Sequence, residues 1–137
     1  MSPTKLTLAA LAAAFSFTLA ASADDATLPP ASDKKGVTYA TDIKPIFDAS
    51  CIKCHNSSDP AKKPRAGVGL DTLDAALKGG KHGKFITVGD SAKSDIVLSV
   101  AHIGDDPDSF MPKGRDAKPL TPEQIGLIRA WIDQGAK

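Results

Sequence analysis

The chain has 137 residues, room for one domain, and carries 17 basic and 16 acidic side chains for a formal net charge of +1. A balance so close to zero argues against nucleic acid or an anionic membrane surface as the main partner. Two cysteines and 5% aromatic residues leave little to stabilise a domain of this size, which buries only a modest share of its surface.

At the N-terminus, Lys5 precedes an uncharged run from Leu6 to Ala21, and Ala21-Ser22-Ala23 is a small-x-small cleavage pattern just before Asp24 and Asp25. Residues 1–23 read as a secretory signal peptide. The run is 16 residues long, short of the roughly 20 that a membrane-crossing helix needs. Cleavage and export to the periplasm are therefore preferred over an uncleaved anchor, with no membrane span left in the mature protein. Removing the signal takes away one cation, Lys5, and leaves 16 basic against 16 acidic groups.

Residues 24–38 mix Asp, Ser, Lys, Gly and proline with few large apolar side chains and read as an exposed, mobile leader. The domain is expected over residues 39–137. Ile43, Ile46 or Phe47, and Ser50 recur at helical spacing from a candidate N-cap at Thr41, with Pro45 early enough to be tolerated. This helix runs directly into Cys51-Ile52-Lys53-Cys54-His55.

Two cysteines three positions apart with histidine immediately after the second form the spacing that holds a haem covalently. Each thiol can close a thioether to one vinyl group of the porphyrin, and the adjacent imidazole is carried beneath the ring to the iron. In an oxidising compartment two lone cysteines would otherwise be expected to pair with each other. Thioether formation uses up both sulfurs and removes that conflict. A dithiol oxidoreductase would need a thioredoxin-like α/β pattern and a structural zinc site four ligands, and neither pattern is present.

Asn56 to Gly69 is loop chemistry. Asp71 is a candidate cap for a short helix through Leu73, Ala76 and Leu77, ending at Gly79-Gly80. A further short helix is expected from Ser94 to about His102, with Ile96, Val97 and Val100 on its apolar side. Gly104 to Pro119 has no periodicity and reads as a surface loop, yet contains Phe110-Met111-Pro112. The last helix is announced by Thr121-Pro122-Glu123-Gln124, an N-cap with proline at the first helical position and glutamine where a capping box places it. Its inward stripe is Ile125, Ile128, Trp131 and Ile132, and Gly135 ends it. Trp131 is expected to pack on the first helix near Phe47. The class is all-α, about four short helices with long loops wrapped around one covalent haem that supplies the missing core.

An iron that only exchanges electrons reorganises little when both axial positions are filled, and methionine in the second position raises the reduction potential. Met1 belongs to the signal, so Met111 is the single methionine of the mature chain and the candidate partner of His55. Pro112 restricts its backbone. The competing imidazoles are His82, in the loop Gly80-Lys81-His82-Gly83, and His102, at a helix end where it suits the dipole. Gap-filling in a core is the plain alternative for Met111. Arg65 is a candidate for a haem propionate. Lysines gather at Lys62 and Lys63 near Arg65 and at Lys78, Lys81 and Lys84, while Asp105, Asp106 and Asp108 form an acidic knot. Solvated loops are the plain reading of these charges, a docking face for redox partner proteins the functional one.

The chain resembles a small class I c-type cytochrome, and within that group it is similar to the planctomycete-type cytochrome c domains. The resemblance runs from about Tyr39 to Ala136. It rests on Asp42-Ile43-Lys44-Pro45-Ile46-Phe47, the Cys51–His55 motif, Gly69-Leu70-Asp71, Val88-Gly89-Asp90, Phe110-Met111-Pro112 and Ala130-Trp131-Ile132-Asp133-Gln134-Gly135-Ala136. It implies a few helices around one haem c, bound through Cys51 and Cys54, with iron held by His55 and Met111. Where such domains often have a second proline after Met-Pro, this chain has Lys113.

The expected function is an exported monohaem electron carrier rather than an enzyme. The alternatives are a haem sensor or peroxidase-like protein with an open or labile distal site, and an electron-transfer subunit of a larger oxidoreductase complex.

Overall fold

A computed structural model of the protein describes residues 28–137; the expected signal peptide and the first residues of the leader lie outside them. Four α-helices follow one another: α1 (Lys44–Ser50), α2 (Leu73–Lys78), α3 (Asp95–Val100) and α4 (Pro122–Asp133). A π-helical turn, Tyr39–Ile43, leads into α1, and single 3-10 turns occur at Arg65–Gly67, Ser91–Lys93 and Pro107–Ser109. Among the described residues there is no β-strand, only one bridge between Gly80 and Gly83.

The longest helix organises the rest. At the start of α4 the Thr121 hydroxyl accepts from the Gln124 N–H, and the Gln124 side chain accepts in return from the Thr121 N–H at 2.9 Å. Two of the four orphan donors of a helix start are thereby satisfied. At the other end Gly135, with φ +101, lets its own N–H reach Ile132 O at 3.1 Å and the Ala136 N–H reach Trp131 O at 2.8 Å. That pair of bonds is a Schellman closure, and the positive φ is why glycine stands there.

Trp131, Ile128 and Ile132 on α4 and Phe47 on α1 are completely buried. Phe47 meets Trp131 edge-on with centroids 6.4 Å apart, as expected from the sequence, and Tyr39 joins them at 6.2 and 6.0 Å. The indole N–H donates to Lys137 O at 3.0 Å. Edge-to-face aromatic packing of this kind adds to the area each ring buries.

Two expectations about helix starts are corrected. The first helical turn is capped by Thr38, not Thr41, and is π-helical, with α1 beginning at Lys44. Thr72, not Asp71, caps α2: its hydroxyl accepts from the Ala75 N–H at 3.2 Å. Asp71 is one residue too early for the cap and has other partners, described below.

The larger correction concerns the leader. Residues 28–38 lie along α4 rather than extending as a mobile segment. Leu28 and Val37 are buried, Ser32 N–H donates to Gly126 O at 2.9 Å, and Gln134 receives Val37 N–H at 3.2 Å while donating to Lys34 O at 2.8 Å. Gly126 makes the crossing possible, because a Cβ there would come within 2.7 Å of Pro30 O. Arg129, buried on the same helix, donates from Nη1 to Pro29 O at 2.6 Å and from Nε to Ser91 Oγ at 3.1 Å. A buried guanidinium needs such partners. Asp133 completes the join by accepting from Ser91 N–H and Oγ–H at 2.8 and 2.9 Å.

Candidate functional site

The backbone of α1 continues its turn through the cysteine pair. Cys51 N–H donates to Phe47 O at 2.8 Å, and Cys54 and His55 N–H both donate to Cys51 O, at 3.1 and 3.0 Å. Because Phe47 is locked in the core, the position of Cys51 follows from it. Cys51, Cys54 and His55 are all half-buried, and both cysteines are free thiols. Burial pushes the Cys51 thiol up to about 11, so it is neutral at ordinary pH and a poor nucleophile for disulfide formation.

His55 is held from the segment Val68–Leu70. Its Nδ1 lies 3.1 Å from Val68 O, and its own carbonyl accepts from Leu70 N–H at 2.7 Å. A carbonyl can only accept, so Nδ1 carries the ring proton and Nε2 is left with its lone pair. That is the tautomer a metal ligand needs, with the second ring nitrogen fixed by a backbone acceptor. Leu70 is anchored in turn: the Tyr39 hydroxyl donates to Leu70 O at 2.8 Å. Burial, with Asp48 and Asp71 adding, pushes that phenol up to about 12, so it stays a donor at any working pH.

The loop after the motif is tied down by Asp71. One carboxylate oxygen accepts from Ser57 N–H and Oγ–H at 2.7 and 2.6 Å, and the other from the Ser58 hydroxyl. Desolvation raises the Asp71 carboxyl, but the hydrogen bonds from Ser57 and Ser58 outweigh it and hold the group well below the usual carboxylate range. A depressed folded value means stability that is present above the unfolded value of about 3.9 and is lost as pH falls below it. Asp71→Asn is expected to cost about 1 kcal/mol at pH 6, after allowance for its exposure. Thermal melts at pH 6 and pH 3 check this; the gap between variant and wild type should shrink at the lower pH.

Met111 is half-buried and packs, like Cys51, Ile52, Val68, Leu77, Phe85, Leu98 and Ile103, against the rim of the core. Its N–H donates to Ser99 O at 3.1 Å, which brings the loop to the end of α3. Lys113, standing where a second proline was expected, reaches back to Asp108, pairing with its carboxylate at 3.6 Å and donating to its carbonyl. The loop is thus closed by a different device.

The competing imidazoles are placed otherwise. His82 is exposed in the turn between Gly80 and Gly83. His102 is exposed too, and its Nε2 is engaged with Met111 O at 3.0 Å. Arg65 is exposed beside the motif; its N–H donates to Cys54 O at 3.0 Å. With Lys53, Lys62 and Lys63 it borders a cleft of about 680 Å³ that Cys54 and Ile52 also line. Among the described residues no group of three or more His, Cys, Asp or Glu side chains is placed to hold a metal ion.

Residues 51–114, beginning at the first cysteine and ending just past the Met-Pro loop, match the model of a family described as Planctomycete cytochrome C. Over these residues the chain is similar to that family, in keeping with the resemblance read from the sequence. The match leaves out Tyr39–Ser50 and α4, which the wider resemblance had included. No curated protein and no solved structure matches the chain. The cytochrome c family implies a covalently held haem, and the donor set fits that group: two unpaired thiols in one turn, a histidine in the ligand tautomer, and a half-buried apolar rim. No described helix is long and apolar enough to cross a membrane.

Sequence reasoning missed the residues that do the holding. Val68 and Tyr39 act on His55 from 13 and 16 positions away, and nothing in their local pattern announces it. Gly126 did carry a signal, as an isolated glycine inside a helical stripe commonly marks a close approach.

Proposed function

We propose that this protein is an exported monohaem c-type cytochrome that carries single electrons, with Cys51 and Cys54 as the thioether anchors and His55 and Met111 as axial ligands. The observation that carries the reading is the bond from His55 Nδ1 to Val68 O, which leaves Nε2 free beside two unpaired cysteines. When bound, the haem supplies an iron that cycles between two oxidation states. The chain's part is to keep that change from moving its ligands. The Val68–Leu70 segment fixes the imidazole ring, and the Ser99 carbonyl fixes the backbone of Met111. The apolar rim would keep water from the bound haem and lower the local dielectric, which together with a thioether ligand would favour the reduced state. Lys53, Lys62, Lys63 and Arg65 around the cleft at Cys54 suit a redox partner with an acidic face.

Met111→Ala tests the axial assignment. The haem should remain attached, the thioether-to-iron absorption band of the oxidised protein should vanish, and carbon monoxide should bind the reduced form. The potential should fall by on the order of 0.1 V or more, within the about 0.8 V that axial ligands span. An unchanged spectrum would pass the ligand role to another group. High-spin iron in the wild type that binds carbon monoxide readily would favour a sensor or peroxidase-like protein instead.

A further inference from the structure

We propose that His102 is the positioning residue of Met111, a clamp that keeps the thioether over the iron; this rests on Met111 being the distal ligand. The His102 ring contacts the Met111 segment twice. Its Nε2 lies 3.0 Å from Met111 O, and since the carbonyl can only accept, Nε2 carries the proton and donates. Its face stacks on Phe110, the residue before Met111, with centroids 5.1 Å apart and planes 6° from parallel. The carbonyl of Ser99 accepts from both His102 N–H, at 3.3 Å, and Met111 N–H, at 3.1 Å. The Ser99 hydroxyl donates to Ser109 O. One turn at the end of α3 therefore grips the loop at Ser109, Phe110 and Met111 in succession.

The backbone of His102 points the same way. Its φ is +56, in the left-handed region that residues bearing a Cβ seldom adopt. A glycine would sit there more easily. Strain kept at a position whose side chain spans to a neighbouring loop is accounted for by what that side chain holds. The hydrogen bond also occupies Nε2, so the clamp and iron ligation by that nitrogen exclude each other.

The test uses the oxidised, haem-loaded protein and follows cyanide binding, whose rate reports how often Met111 leaves the iron. Three variants separate the contacts. His102→Gly removes both contacts while relieving the backbone, and should raise the rate about tenfold with no fall in the melting midpoint. His102→Gln keeps a donor and should stay within about threefold of wild type. Phe110→Leu removes only the stacking and should raise the rate about threefold. Unchanged binding in His102→Gly overturns the proposal, as does a Gln variant as fast as the Gly variant. If His102→Gly does not accumulate, Phe110→Leu decides alone, and an unchanged rate there overturns it. Met111→Ala, run alongside, separates the two readings. A wild type without the thioether-to-iron band, or one that binds cyanide as fast as Met111→Ala, removes the ligand assignment and the clamp together. A wild type with the band and a Gly variant identical to it removes the clamp alone.

Discussion

Replacing Cys51 and Cys54 together by alanine is expected to yield a protein with no covalent haem, read as the absence of the haem mass increment on the denatured chain. Each thiol can make one thioether, so a single replacement leaves one link and the double replacement none. Losing a ligand that binds only the folded state also removes its contribution to stability. If the haem supplied the missing core, as expected from the sequence, the remaining chain would be largely unfolded. The structure narrows this, because Trp131, Phe47, Ile43, Ile128 and Ile132 are completely buried in one core cluster that also takes in Leu28 and Val37 of the strap formed by residues 28–38. The double variant should therefore keep α1 and α4 packed while its rim of Val68, Leu77, Phe85, Leu98 and Ile103 loses its cover. Retained far-UV helicity with strong binding of a hydrophobic dye is the expected signature. Covalent haem in the double variant, or a melting midpoint equal to wild type, would overturn the assignment of both cysteines.

Trp131→Ala is expected to have the largest effect on stability of any single core substitution. The indole is fully buried, makes two aromatic contacts and donates to Lys137 O. Truncating a buried tryptophan costs about 3–5 kcal/mol through lost transfer energy and the cavity left behind. Against a total of about 5–15 kcal/mol for a domain, that consumes about a fifth of the stability or more. At about 4–8 °C per kcal/mol, the midpoint should fall by roughly 12 °C or more. The damage reaches the haem site through Phe47, whose carbonyl receives the N–H groups of Cys51 and Ile52. Trp131→Phe keeps most of the apolar volume and should lose less than half as much. Chemical denaturation of the haem-loaded protein checks both, and a Trp131→Ala midpoint within 5 °C of wild type would show that the core is organised elsewhere.

The elements that could be read correctly beforehand are those whose causes are local. The capping box of Thr121 and Gln124, the stop at Gly135 and the short α3 all depend on contacts within about four residues, so sequence spacing carries them. The start of the first helix was misplaced because Thr38 and Thr41 are both plausible caps, and the choice depends on Asp42, whose carboxylate accepts from Thr38 N–H at 3.0 Å while pairing with Lys34. Asp71 was misread for a related reason. As a cap it would have served its own helix, but its partners Ser57 and Ser58 lie 14 and 13 residues away.

The leader shows the limit most clearly. Its composition resembles that of a solvated segment, and only the path of α4 turns it into a strap. Gln134 and Arg129 reach it from about 100 positions away, and the groove exists because Gly126 lacks a Cβ.

By itself the sequence determined the helical class and singled out Cys51, Cys54, His55 and Met111 as the candidates for holding a haem, because these depend on residue type and on spacing within a turn or two. The tertiary structure decided which nitrogen of His55 is free, what Asp71 and Arg129 hold, and that His102 grips the Met111 loop. Those outcomes depend on carbonyls and carboxylates brought together from distant parts of the chain, and hydrogen bonding is settled by where such groups meet in space.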